Sequence, residues 1–261
     1  MQIKSLSIPN RNGQLLAARL DIPDKAAAAD TRPAPVALYA HCFTCSKNIK
    51  AAANLSRGLV ARGLTVCRFD FTGLGESGGR FAETTFSSNV TDLIDVAAYL
   101  KREFAVPRLL IGHSLGGAAV IQAAAQLAAV RAVVTIGAPF DPGHVLRHLS
   151  DLRQRIEAEG EAPITIEGRT FRFRADFINN LEAVDQAAAI RNLKRPLLVM
   201  HAPLDDTVSI DHAGRIFQTA RHPKSFIALD GADHLLSQST QARYTGELIA
   251  AWASKYITQG N

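Results

Sequence analysis

A serine set between glycines at the end of an apolar run can act as a nucleophile, and Gly112-His113-Ser114-Leu115-Gly116-Gly117 has that form. Leu109-Leu110-Ile111 precedes it and an Ala-rich stretch follows, the strand–turn–helix context in which G-x-S-x-G exposes its serine. The demand is steric: the serine takes a strained backbone conformation, and its neighbours must lack a Cβ where strand and helix approach. The competing reading is a Gly-rich helix start with serine as a simple cap. What separates the two is a base, because a hydroxyl is a weak nucleophile until its proton is taken. Of eight histidines, His234 follows the last expected strand and precedes the final helix, which yields the chain order Ser, acid, His. The acid should orient that imidazole and stabilise its charged form. It falls in His201-Ala202-Pro203-Leu204-Asp205-Asp206-Thr207-Val208, where the D-x-x-V spacing favours Asp205. Asp206 is the alternative acid, or else a cap for a helix beginning near Ser209.

Charge developing on a substrate oxygen needs two backbone N–H donors. Leu115 should supply one and Phe43, in the loop after Val36–Ala40, the other. Such loops usually read His-Gly-X, and Cys42 stands here in the glycine's place. His41, His113 and Phe140 are candidates to line the site, while His144, His148, His212 and His222 read as solvated or inserted positions. Cys42-Phe43-Thr44-Cys45 is a C-x-x-C without a second pair, so a structural zinc site is disfavoured and no metal is expected. Two small thiols packed behind the loop is the simpler reading. The sharper one is a redox pair whose disulfide would distort the Phe43 amide and stop catalysis. Cys67, inside a strand, reads as core. Asp70 to Gly79 looks like a phosphate loop but lacks the Gly-Lys-Ser/Thr ending, and is read as a turn on the active-site side.

These residues need a scaffold, and the apolar pattern describes one. An Asn12-Gly13 turn between two short apolar runs marks an opening hairpin. Buried parallel strands are then expected at Val36–Ala40, Thr65–Phe69, Leu109–Ile111, Ala132–Ile136, Leu197–Met200 and Ser225–Leu229. Helical segments at Ala51–Arg62, Ser88–Phe104, Ser114–Ala125 and Thr240–Tyr256 alternate with them. The expectation is one α/β domain over residues 1–261: a mostly parallel, eight-stranded sheet with an antiparallel start and helices on both faces. Between Pro139 and Pro196 the alternation breaks. Helix candidates at Val145–Ala158 and Phe177–Ile190 flank a hairpin from Ile164 to Arg174, too long an excursion for a loop. It is read as an inserted lid over approximately residues 140–194. Phe140, Phe171, Phe173 and Phe177 would line an acyl pocket or, as favoured, form the lid's own core; the hairpin is a candidate pairing surface for a homodimer.

The Gly-His-Ser-Leu-Gly elbow at 112–116, Asp205, His234 and Asp70-Phe71-Thr72-Gly73-Leu74-Gly75 together resemble the α/β-hydrolase superfamily over essentially the whole chain. More narrowly, His41 to Lys47, Gly137 to Pro142 and His222 to Phe226 resemble hydrolase domains that occur fused to OsmC-type peroxide-reductase domains. A stand-alone relative and a piece of such a fusion are both open. The resemblance implies acyl transfer to water without a cofactor: Ser114 attacks an ester-like carbonyl, His234 relays the proton and Asp205 orients His234. A small-molecule ester is the expected substrate. Thioesterase, amidase or aminopeptidase-like, and cofactor-free peroxidase activities are rivals with the same triad, and a non-catalytic binding module is the rival of another class. A haloalkane dehalogenase is disfavoured, since its nucleophile would be an aspartate where Ser114 stands. The subfamily resemblance also suggests a functional link to an OsmC-type peroxide reductase.

Composition narrows the partners. The formal charge is +5, but Arg153, Arg155, Arg169, Arg172 and Arg174 alternate with Glu157, Glu159, Glu161 and Glu167 and form no one-signed stripe, which argues against nucleic acid. No apolar run reaches the ~18 residues of a membrane span. Three cysteines do not read as a disulfide framework and no signal pattern opens the chain, so a cytoplasmic location is expected.

Overall fold

The structure is a computed structural model that describes residues 1–24, 34–42, 44–143, 152–166 and 169–258. Its sheet begins with β1 (Gln2–Pro9) and β2 (Leu15–Ile22), which pair antiparallel across the Asn12-Gly13 turn, with Gly13 at φ 78°. β3 (Val36–Ala40), β4 (Thr65–Phe69), β5 (Pro107–His113) and β6 (Ala132–Ile136) follow, parallel to one another. A small hairpin, β7 (Glu161–Ile166) and β8 (Arg169–Arg174), stands apart, and β9 (Leu197–His201) and β10 (Lys224–Ala228) complete the main sheet. The eight strands run in the order β1-β2-β4-β3-β5-β6-β9-β10, with β2 antiparallel to β4. The chain therefore folds as the mostly parallel sheet with an antiparallel start that its apolar runs predict.

Side chains of a strand alternate between sheet faces, and here both faces are buried. Leu38, Ala40, Leu110 and Val133 join the core on one face; Ala37, Tyr39, Leu109, Ile111 and Val134 join the other. The first face is covered by α2 (Phe86–Glu103) and α3 (Leu115–Ala124), the second by α1 (Lys50–Ala61) and α8 (Ser239–Ile257). α2 starts two residues before the expected Ser88, because Thr85 and Ser88 exchange hydrogen bonds in a capping box of 2.9 and 3.1 Å.

Between β6 and β9 the chain leaves the alternating pattern. α4 (Leu152–Glu159), the β7–β8 hairpin, α5 (Ala175–Glu182) and α6 (Gln186–Arg191) form this insertion. The first part of the helix expected at Val145–Ala158 lies outside the described residues. The single helix expected over Phe177–Ile190 is two, because Asp185 turns out of the first and caps the second through the Ala188 N–H at 2.8 Å. Phe171, Phe173 and Phe177 gather round Phe81, with ring centroids 5.2–5.7 Å apart, so they form a core rather than an open acyl pocket. The interleaved charges pair on the surface, Arg153 with Glu182 and Arg172 with Glu161 at 2.7 and 3.1 Å. Among the described residues no helix is long and apolar enough to cross a membrane.

Candidate active site

The carboxyl ends of the parallel strands β3, β4, β5, β6, β9 and β10 lie along one edge of the sheet, and the residues with chemical potential sit on the loops that leave them. Ser114 follows β5 at φ 55°, ψ −126°, a conformation L-residues seldom adopt. It is held there by its N–H donating to the Ile136 carbonyl at 2.8 Å and by glycines that allow the turn. A Cβ on Gly112 would stand 2.2 Å from the Gly116 carbonyl oxygen, and one on Gly116 would stand 2.4 Å from that of His41. Both glycines are therefore required by contact, and Ser114 sits at the N-terminus of α3, where the helix favours negative charge.

His234 Nε2 lies 3.1 Å from Ser114 Oγ, and His234 Nδ1 lies 2.7 Å from Asp205 Oδ2. Asp205, not Asp206, is the aspartate brought to His234. Its side chain is buried, and its other oxygen accepts the N–H groups of Thr207 and Val208 at 2.9 and 2.8 Å. Burial alone would raise its pKa, but the hydrogen bonds from His234, Val208 and Thr207 outweigh it and hold the carboxyl below the usual range. Asp206 is exposed and accepts only from the Thr207 hydroxyl, at 3.1 Å. Nor does it cap the next helix, α7 (Ile210–Thr219). Ser209 does so through the Asp211 N–H at 3.3 Å.

Two further histidines brace this arrangement. His113 packs 5.3 Å from the His234 ring and donates from Nε2 to the His234 carbonyl at 2.7 Å; burial pushes its pKa down to about 3. His201 donates from Nε2 to the Val208 carbonyl at 2.7 Å, with Asp205 3.4 Å away, and burial lowers its pKa too. Both rings are thus neutral scaffolding for the loops that carry Asp205 and His234. His212, expected to be solvated, is buried, and its Nδ1 accepts the Phe140 N–H at 3.0 Å. His144 and His148 lie outside the described residues.

On the opposite side, Leu115 opens α3 beside Ser114. Phe43, the other expected donor, lies outside the described residues. The flanking Cys42 and Cys45 are joined as a disulfide with Cα atoms 5.3 Å apart, which overturns the reading as two thiols; three residues' separation allows the bridge because the Cys45 N–H turns back to the Cys42 carbonyl at 3.1 Å. Cys67 is a buried free thiol. His41, Cys42, Leu115 and Gly116 line a small cavity together with Phe71, Leu74 and Phe86. Phe140 does not line it. Its ring instead carries the Arg215 guanidinium at 4.1 Å.

Sequence reasoning missed the buried ion cluster beneath this loop. Lys47 Nζ donates to Asp70 Oδ2 at 2.7 Å and to Glu76 Oε2 at 2.6 Å, while the backbone N–H groups of Lys47 and Glu76 also reach Asp70. The Gly-rich turn at 70–79 therefore wraps a carboxylate of the protein itself, with Gly73, Gly75 and Gly79 at positive φ. Below it Arg68 pairs with Asp21 at 2.8 Å, and Ser56 donates to the same oxygen. A lysine 23 residues from its partner has no local signature. Among the described residues no group of three or more His, Cys, Asp or Glu is arranged to hold a metal ion.

Known proteins share this fold. The esterase domain of a Rhodothermus marinus protein is 46% identical, covering 98% of this chain and 100% of that one with a TM-score of 0.79. The chain belongs to the α/β-hydrolase family. Residues 45–155 also match the Hydrolase_4 model, described as serine aminopeptidase, S33. Est1E from Butyrivibrio proteoclasticus, solved with ferulic acid, is 17% identical with a TM-score of 0.78, covering 97% of this hydrolase and 100% of Est1E. The mouse α/β hydrolase domain-containing protein 10 is 22% identical with a TM-score of 0.75, covering 98% and 99%. At such identities the likeness is one of fold. No curated protein matches the sequence.

Proposed function

We propose that this hydrolase is a serine carboxylesterase in which Ser114 is the nucleophile, His234 the general base and Asp205 the acid. The observation that carries the reading is the continuous chain Asp205–His234–Ser114, at 2.7 and 3.1 Å, ending on the strained elbow. In the first half-reaction Ser114 Oγ attacks the ester carbonyl as His234 Nε2 takes its proton, and the oxyanion is assigned to the Leu115 N–H and, as the sequence leads one to expect, to that of Phe43. Collapse of that intermediate expels the alcohol, which takes the proton from His234, and leaves an acyl-Ser114. Water then attacks the acyl group with His234 again as base, releasing the acid and restoring Ser114.

An ester substrate is favoured over its rivals by the kinship to the Rhodothermus marinus esterase domain. The insertion between β6 and β9 is read as a lid: Arg169 to Phe171 of its hairpin face Thr44, Ser46 and the Gly-rich turn across a polar cleft. The resemblance to OsmC-fused hydrolases supports a role beside a peroxide reductase, which co-purification with such a protein would test.

Labelling with a fluorophosphonate probe and turnover of a p-nitrophenyl ester test the central reading. Wild-type protein is expected to label and turn over; Ser114→Ala should do neither while keeping its thermal stability. Absence of labelling, or turnover unchanged in Ser114→Ala, would refute the nucleophile and leave a binding module on this fold.

A further inference from the structure

The cavity beside Leu115 is walled by Phe71, Leu74 and Phe86, yet it also carries two polar side chains, His41 and Asn89. His41 is 1% exposed and its Nδ1 lies 2.7 Å from the Cys42 carbonyl, an atom that can only accept, so Nδ1 bears the proton. Burial lowers the pKa of this ring, and the neutral ring then presents Nε2 as a bare lone pair. That atom is buried without a hydrogen-bond partner, and so is Asn89 Oδ1. The carboxylate nearest to His41 Nε2, on Asp70 at 3.9 Å, is itself an acceptor and is engaged by Lys47. A buried acceptor left without a donor is costly, so both atoms call for one.

We propose that this cavity is the acyl subsite and that it takes a short acyl chain bearing a hydroxyl, whose O–H donates to Asn89 Oδ1, with His41 Nε2 the second acceptor on the cavity wall. The assignment rests on Ser114 being the esterase nucleophile. Leu115 and Gly116, the residues after that serine, line it together with His41 and Cys42, which sets the cavity next to the elbow. Its free volume is about 20 Å³. One water needs roughly 10–15 Å³, so the hydroxyl and the carbon that bears it fit and an aromatic ring does not. The three apolar walls suit the carbon chain, and the two acceptors discriminate for the hydroxyl, because a site built to bond a hydroxyl rejects the analogue lacking it.

Matched pairs of esters test this: ethyl 3-hydroxybutyrate against ethyl butyrate, and ethyl lactate against ethyl propionate. In wild-type protein the hydroxylated member of at least one pair is expected to show a kcat/KM tenfold or more above its partner. Asn89→Leu should bring that ratio close to one, and Asn89→Asp, which keeps an acceptor of the same shape, should preserve the preference. Calorimetry on Ser114→Ala protein reads the subsite without catalysis, and the same hydroxylated ester should bind about tenfold tighter than the plain one. Equal rates within both pairs, or equal affinities, would overturn the proposal and mark the cavity as a place for a water. A ratio unmoved in a folded Asn89→Leu protein would also overturn it. If Ser114 fails to label but the hydroxylated ester still binds preferentially, the esterase reading falls and the subsite stands.

Discussion

Replacing Asp205 by Asn changes one oxygen to an NH₂ group of nearly the same size, and the site dictates where that group must go. Oδ1 of Asp205 is held by two backbone donors, Thr207 N–H at 2.9 Å and Val208 N–H at 2.8 Å. The side-chain amide of the Asp205→Asn variant would keep its oxygen there, since turning NH₂ toward two N–H groups would lose both bonds. Its NH₂ must then face His234 Nδ1, 2.7 Å away in the wild type. Nδ1 becomes the acceptor, the proton moves to Nε2, and the atom 3.1 Å from Ser114 Oγ can no longer take the serine's proton. Loss of the correct tautomer in a triad of this kind costs a factor of about 10⁴ in kcat. At about 1.36 kcal/mol per decade, a loss of 10³–10⁴ is about 4–5.5 kcal/mol of transition-state stabilisation. Asp206→Asn, an exposed change bonded only to Thr207, should stay within about threefold of wild type. Steady-state hydrolysis of p-nitrophenyl butyrate by both variants, with melting curves as a control for folding, checks the pair. Equal losses at the two positions, or more than a tenth of wild-type kcat in Asp205→Asn, would refute the argument.

Lys47→Met should leave the fully buried Asp70 carboxylate without its cation, a loss of about 3–5 kcal/mol and a fall in Tm on the order of 10 °C, read by calorimetry. A fall below about 2 °C would show that the backbone N–H groups suffice. His113, with a folded pKa near 3, and His41 and His201, also lowered, are neutral in the fold and protonate more readily when unfolded. Their contribution is complete above the unfolded value of about 6.5 and is lost as pH falls below it, at up to about 1.4 kcal/mol per pH unit for each ring. A Tm unchanged between pH 7 and pH 5 would contradict this. Thiol titration in denaturant without reductant should find Cys67 alone reactive, and three thiols after reduction. Three thiols in both samples would remove the Cys42–Cys45 bridge.

Much of the molecule is legible in the sequence because its signals are local. Unbroken apolar runs such as Val36–Ala40 or Ala132–Ile136 report burial on both sheet faces, and Gly112 announces an elbow because a Cβ there would collide within the turn, while one on Gly116 would meet the end of β3. The order Ser114, Asp205, His234 likewise follows from strands read one at a time. The helix expected at Phe177–Ile190 divides for a local reason that periodicity does not weigh, since capping by Asp185 outcompetes an uninterrupted run.

What tertiary structure alone decided involves partners far apart in the chain. The D-x-x-V spacing favours Asp205 without deciding which carboxylate turns inward; the hydrogen bonds of Thr207 and Val208 and the arrival of His234, 29 residues on, decide it. Lys47 and Asp70 meet 23 residues apart, and Asn89 comes to His41 from α2. The same holds for the oxyanion side. Cys42 stands where a glycine is usual, and its disulfide to Cys45 follows from how the turn folds rather than from the spacing, which suits thiols as well. Sequence reports the conformational preferences of neighbours within a turn or a strand, whereas polar pairing in a buried site depends on which strands lie side by side.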